Sequence, residues 1–160
     1  MGVSTYEYDV PTKVSPDKLF RGLVLNSSAV FPEVYPQVYK KLENISGDGG
    51  PGTIKKAHLA GGHQVNHIEE LDTDKLEFGY TIVEGDVLQS GVEKIYNHIK
   101  IVEGPDGGSV IKNTAKYFTE DGLEFKEDET RNYAIASTDK YTGLYKAVEN
   151  YLLENPHLYN

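Results

Sequence analysis

From Tyr39 to Phe118 apolar and polar residues alternate with a period of two, and only short clusters of turn formers interrupt them: GDGGPG, AGGH, Asp72 to Asp74, EGD and GPDGG. Successive side chains of a strand point to opposite faces of a sheet, so this pattern predicts six strands joined mostly by tight turns, an antiparallel meander. Val3 to Val10 alternates as well and reads as a first strand, closed by Pro11. Between it and the meander lie two short helical segments. In VSPDKLFRGLVL, Ser15 suits a cap, Pro16 the first turn and Asp17 the positive helix end. The following NSSAVFPEVYPQ meets Pro32 and Pro36, which leaves room for a brief second helix only. Beyond Glu120 an acidic stretch leads to a segment from about Glu129 to Glu154 that is free of proline and closed by Asn155 and Pro156, and it predicts one long C-terminal helix.

Alternation also assigns faces. One face of three consecutive strands carries Phe78, Tyr80 and Ile82, then Ile95, Asn97, Ile99 and Ile101, then Ile111, Asn113, Ala115 and Tyr117; the opposite parity carries Glu77, Lys94, His98, Lys112 and Lys116. The first face is the inner one. The helix stripe that should cover it, Tyr133 or Ala134, Ser137, Lys140, Tyr141, Leu144, Val148 and Tyr151, is poorly apolar. An unpaired buried polar group costs about 1–3 kcal/mol, so Ser137, Lys140, Asn97 and Asn113 must pair with one another, or the interior must be wet and hollow. The hollow interior is the expectation.

Composition bounds the rest. A chain of 160 residues has the length of one domain, here 1–160, and buries about 68–70% of its unfolded surface. It has no cysteine, which removes disulfides, thiolate metal sites and thiol nucleophiles, and permits a reducing compartment. MGVSTYEYDV has no apolar signal stretch, and no run approaches the roughly 18 apolar residues of a membrane span, so the chain is expected in the cytoplasm. A formal charge of −9, from 25 acidic against 16 basic residues, repels polyanions, and the lysines form no basic patch interleaved with aromatic residues. Sequence-specific nucleic-acid binding is not expected.

GDGGPGTIKK at Gly47 to Lys56, IVEGD at Ile82 to Asp86, VEKIYNHIKIV at Val92 to Val102, PDGGSVIK at Pro105 to Lys112 and AVENYLLENPHLYN at the C-terminus resemble the pathogenesis-related class-10 proteins of plants, the group that includes the major birch pollen allergen. The similarity runs in register from Gly2 to Asn160. It implies an α+β, START-like helix-grip fold: a seven-stranded antiparallel sheet wrapped around a long C-terminal helix, two short helices forming a V, and a large internal cavity. It also implies binding, storage or transport of small hydrophobic or aromatic metabolites, such as flavonoids, cytokinins and alkaloid precursors, in a defence or stress setting. The wall implied here takes Leu23 and Phe31 from the short helices, Val38, Lys55, Ala57, Leu59, Gln64 and Asn66 from the early strands, and Phe78, Tyr80, Ile82, Ile95, Asn97, Ile99, Asn113 and Tyr117 from the later ones. Lys140, Tyr141 and Leu144 complete it from the long helix. The chain is expected as a monomer or weak dimer without cofactor.

Several motifs carry a second reading. GDGGPGTIKK looks like a phosphate loop, but it runs into the strand TIKKAHL, whereas phosphate loops open a helix; Gly47, Gly49, Gly50 and Gly52 read as architectural. Weak ribonuclease activity has been proposed for the family, on residues that correspond here to Lys55, Glu93, Glu149 and Tyr151, with an ion pair between Lys55 and Glu149 as the structural alternative. Norcoclaurine synthase, a related enzyme, uses a tyrosine, a glutamate, a lysine and an aspartate; those roles fall on Gln64, Asn66, Phe78 and Asn97, and none is retained. An enzyme using Lys55 or Lys140 in the same cavity remains the alternative from another class. His58, His63, His67, His98 and His157 lack zinc-site spacing, and no metal is expected.

Overall fold

The structure is a computed structural model that describes residues 2–88, 91–120 and 127–160. Strands β1 (Gly2–Thr12), β2 (Tyr39–Ser46), β3 (Ile54–Leu59), β4 (Gly62–Asp72), β5 (Glu77–Gly85), β6 (Val92–Glu103) and β7 (Ser109–Thr119) form one seven-stranded antiparallel sheet. Its order is β1-β7-β6-β5-β4-β3-β2, a meander closed by the first strand at its far edge. Pro11 lies inside β1 opposite Val110, which an edge strand tolerates because one side of it needs no ladder donors. Helices α1 (Pro16–Phe20) and α2 (Ser27–Val34) are joined by a π-helical turn, Arg21–Leu25, and α3 (Glu127–Glu154) is the long helix. The acidic stretch expected ahead of α3 and the Tyr133 side chain lie outside the described parts. No helix among the described residues is long and apolar enough to cross a membrane.

Sheet and helix enclose the core between them. On the inner face Phe78 stands opposite Ile99, Tyr80 opposite Asn97 and Ile82 opposite Ile95, and Ile95, Asn97 and Ile99 in turn face Tyr117, Ala115 and Asn113. From α3, Ala134, Tyr141, Leu144, Tyr145, Val148 and Leu152 are buried against this face or the short helices. Ser137 and Lys140 are half-buried and Tyr151 packs only in part, so the true stripe steps from Tyr141 to Tyr145 to Val148 to Leu152. The buried Gly22 of the π turn sets how closely the short helices approach α3, since a Cβ there would lie 2.9 Å from Leu152 Cδ1.

The core has two parts. Below, Val10, Leu19, Phe20, Leu23, Val30, Ile111, Leu144, Val148 and Leu152 join β1, β7, the short helices and the end of α3. Above, Ile82, Val92, Ile95, Ala115, Tyr117 and Ala134 form a separate layer, with Tyr6, Tyr80, Val87 and Leu88 packed on it.

Candidate functional site

Between these parts lies a cavity, partly open to solvent, in which the centre of a water molecule can reach about 60 Å³. The short helices contribute Leu23, Val24, Ser27 and Phe31, and the early strands Tyr39, Leu42, Lys55, Ala57, Gln64, Asn66 and Ile68. Phe78, Tyr80, Ile99, Tyr141, Leu144 and Tyr145 close it. A water needs roughly 10–15 Å³ of such space, so the interior has room for a small ring or a few waters rather than the large void that the resemblance implies.

The rings on α3 are the physical reason. Tyr141 and Tyr145 stack at 6.2 Å between ring centres, and the Tyr80 hydroxyl donates to the Tyr141 hydroxyl at 3.3 Å. Above this contact Ile82, Ile95 and Tyr117 pack against Ala134, so these three do not line the cavity. Asn97 and Asn113 are off the wall as well, buried on the sheet beneath α3, where Asn113 Nδ2 donates to the Tyr145 hydroxyl at 2.7 Å. Val38 and Leu59 pack on the outer side of the lower core, and Lys140 sits half-buried on α3 away from the wall. Wall residues absent from the expected set are Val24, Ser27, Tyr39, Leu42, Ile68 and Tyr145.

The choice between internal pairing and a hollow core resolves as some of each. Asn113 is paired through its amide nitrogen and Tyr117 meets the Ser137 hydroxyl. Asn97 Nδ2 and Asn113 Oδ1 have no hydrogen-bond partner among the described residues. On the wall Gln64 Nε2 donates to Asn66 Oδ1 at 3.0 Å, and Lys55 Nζ donates to Ser27 Oγ at 3.3 Å. Burial holds the Lys55 amine below the usual lysine range and does the same to Lys140. Burial also pushes Tyr39, Tyr80, Tyr141 and Tyr145 above the usual tyrosine range, so all four are neutral donors at neutral pH.

The residues singled out for other chemistry are dispersed. In the glycine-rich loop Gly49 N–H donates to Thr53 Oγ1 at 2.8 Å, Gly50 N–H to Asp48 Oδ1 at 3.1 Å and Gly52 N–H to the Ile68 carbonyl at 2.9 Å, so these amides are already engaged. Glu149 is buried and accepts from the Lys13 N–H at 2.6 Å and from Lys146 at 3.3 Å, not from Lys55. Glu93 is exposed on β6, and among the described residues no hydrogen bond or ion pair joins any two of Lys55, Glu93, Glu149 and Tyr151. His63 pairs with Glu84 at 3.0 Å, and His58 pairs with Glu43 at 2.9 Å. Among the described residues no three potential metal ligands cluster.

Comparison with known proteins agrees with this architecture. Residues 1–155 match the profile of the pathogenesis-related protein Bet v 1 family. The chain is 42% identical over its whole length to the major allergen Pru ar 1 of Prunus armeniaca, and 40% identical over its whole length to the major strawberry allergen Fra a 1.08 of Fragaria ananassa, with both relatives fully covered. The crystal structure of Ara h 8.0201 superposes with a TM-score of 0.81 at 30% identity, covering 96% of this chain and 99% of that one. A norcoclaurine synthase point mutant from Thalictrum flavum superposes with a TM-score of 0.75 at 20% identity, covering 97% of both chains, a likeness of fold. By sequence and topology, the chain belongs to the pathogenesis-related protein Bet v 1 family.

Proposed function

We propose that residues 1–160 act as one binding domain that stores or carries small hydrophobic or aromatic plant metabolites, flavonoids, cytokinins and alkaloid precursors among them, within the cavity between sheet and α3. The observation that carries this reading is a mostly apolar, partly open cavity with Lys55, Gln64, Asn66 and Tyr80 placed on its wall. Apolar walls contribute about 25 cal/mol per Å² of guest surface removed from water, while a few polar groups fix orientation. The available space suits a small flat ring. A fused-ring guest has to part Tyr80 from Tyr141 and move α3 outward. A cytoplasmic location and a role in defence go with this reading, and a fluorescent fusion expressed in plant cells checks the first.

Displacement of a fluorescent dye by a panel of flavonoids, cytokinins and aromatic amines tests the function. Displacement at micromolar concentrations supports it, and failure of the whole panel up to the high micromolar range removes it.

A further inference from the structure

Asn97 on β6 and Asn113 on β7 are 2% and 3% exposed, and each keeps one polar atom without a hydrogen-bond partner among the described residues: Nδ2 of Asn97, a donor, and Oδ1 of Asn113, an acceptor. Both side chains rise from the inner face of the sheet. Asn97 stands opposite Ala115 and Asn113 opposite Ile99, so the two amides are diagonal neighbours on adjacent strands. Side chains so placed have their β-carbons no more than about 7–8 Å apart. Two hydrogen bonds of about 2.9 Å that meet at one shared oxygen span such a separation. The Asn113 amide is held in its orientation, because its Nδ2 donates to the Tyr145 hydroxyl at 2.7 Å and Tyr145 donates its own proton to Tyr8. Turning that amide over would set its oxygen against the Tyr145 oxygen with no proton between them. The chemistry of the orphaned pair decides what can occupy the space between them. A metal ion is repelled by the Asn97 N–H, and a carboxylate or phosphate by the Asn113 oxygen. A hydroxyl, acceptor and donor in one atom, satisfies both. Ala115, and Ala134 packed in the same apolar layer from α3, carry only methyl groups there, and a single oxygen needs little volume.

We propose that Asn97 and Asn113 form a binding site for one neutral hydroxyl, whose oxygen accepts from Asn97 Nδ2 and donates its proton to Asn113 Oδ1. A water and the hydroxyl of a small alcohol supply the same chemistry. The site lies behind the cavity wall and against it: Tyr80 stands opposite Asn97, Ile99 opposite Asn113, and Tyr145 is bonded to Asn113. Its occupant completes a chain that runs from Asn97 on β6 through Asn113 on β7 to Tyr145 on α3 and Tyr8 on β1, and so fixes where Tyr145 stands at the end of the cavity. The site goes beyond the guest binding proposed above and does not depend on it.

High-resolution crystals of the wild-type chain, untreated and soaked in 2-bromoethanol, test it, since bromine marks the alcohol by anomalous scattering. The expected result in untreated crystals is one oxygen peak within about 3.2 Å of both Asn97 Nδ2 and Asn113 Oδ1. Bromine beside that position after soaking supports the site and assigns it to alcohols; the same oxygen peak with no bromine near it supports the site and assigns it to water. No peak between the two amides in either crystal, or a direct bond from one amide to the other, overturns the proposal and leaves the cavity's binding function standing. In Asn97→Leu the peak should vanish while Asn113 still donates to Tyr145, and a peak that survives there overturns the role of Asn97. Should that variant fail to fold, the wild-type crystals decide.

Discussion

The Tyr80 hydroxyl donates to the Tyr141 hydroxyl across 3.3 Å, tying the middle of β5 to α3 and separating the cavity from the apolar layer of Ile82, Ile95 and Tyr117. At that length the bond is weak. Tyr80→Phe should therefore cost no more than about 0.5–1.5 kcal/mol. Tyr80→Ala should cost about 3 kcal/mol, since it removes a ring that fills the boundary and leaves a void. A small aromatic guest occupying that void should raise the melting temperature of Tyr80→Ala more than that of the wild type. Equal shifts would mean that the ring does not limit the space.

Alkaline pH should unfold the protein through its tyrosines. Burial raises the folded-state pKa of Tyr8, Tyr39, Tyr80, Tyr117, Tyr141 and Tyr145 above the unfolded value near 10. A raised folded value means that the stabilisation is fully present below about pH 10 and is lost as pH climbs, by up to about 1.4 kcal/mol per pH unit for each ring. Lys55 works the other way: burial lowers its amine, so the destabilisation is full below that lowered range and is relieved as pH approaches about 10.4. Several phenols outweigh one amine. Phenolate absorbance and far-ultraviolet circular dichroism followed together from pH 9 to 13 should show the buried rings ionising only as the dichroism collapses. Complete ionisation before any loss of dichroism would contradict this.

Glu149 holds the turn between β1 and α1 by accepting the Lys13 amide proton at 2.6 Å. Glu149→Ala leaves that N–H without its acceptor and should destabilise the fold by about 1–3 kcal/mol in urea titrations. Dye affinity at the cavity should stay unchanged, because Glu149 is not on its wall. A stable variant with altered guest affinity would point instead to a functional role.

The glycines of the GDGGPG loop differ in what they tolerate. Gly47 has a φ of +96°, and a Cβ there would lie 2.7 Å from the Thr53 Cα, whereas Gly52, at φ +91°, faces open space. Gly52→Ala should cost about 1–2 kcal/mol of backbone strain. Gly47→Ala should cost clearly more, because backbone must shift as well. Thermal denaturation of the two variants side by side checks the ranking.

The sheet was legible because one of its faces is buried, which imposes alternation, and because its turns need glycine. The reading failed where the period breaks. Between Tyr39 and Lys41 a bulge shifts the register of β2, so Tyr39 and Leu42 both reach the interior, which a strict alternation forbids. Ile68 shares the parity of Gln64 and Asn66 and could have been found by extending that face by two residues. On α3 the choice between three- and four-residue steps after Tyr141 is ambiguous, because tyrosine occupies both Tyr145 and Tyr151 and leucine both Leu144 and Leu152. The π turn brings Val24 to the wall beside Leu23, and no local signal marks it. How far the helix stands from the sheet depends on all these contacts together. Hence the cavity's position was readable and its size was not.

Crystals soaked in 4-iodophenol put the binding function to its most direct trial, since iodine scatters anomalously and marks the position of the ring. The expected result is an anomalous peak between Phe31, Phe78 and Leu144, under the Tyr80–Tyr141 contact. Peaks confined to the protein surface at saturating concentration, with the interior unchanged, would contradict it.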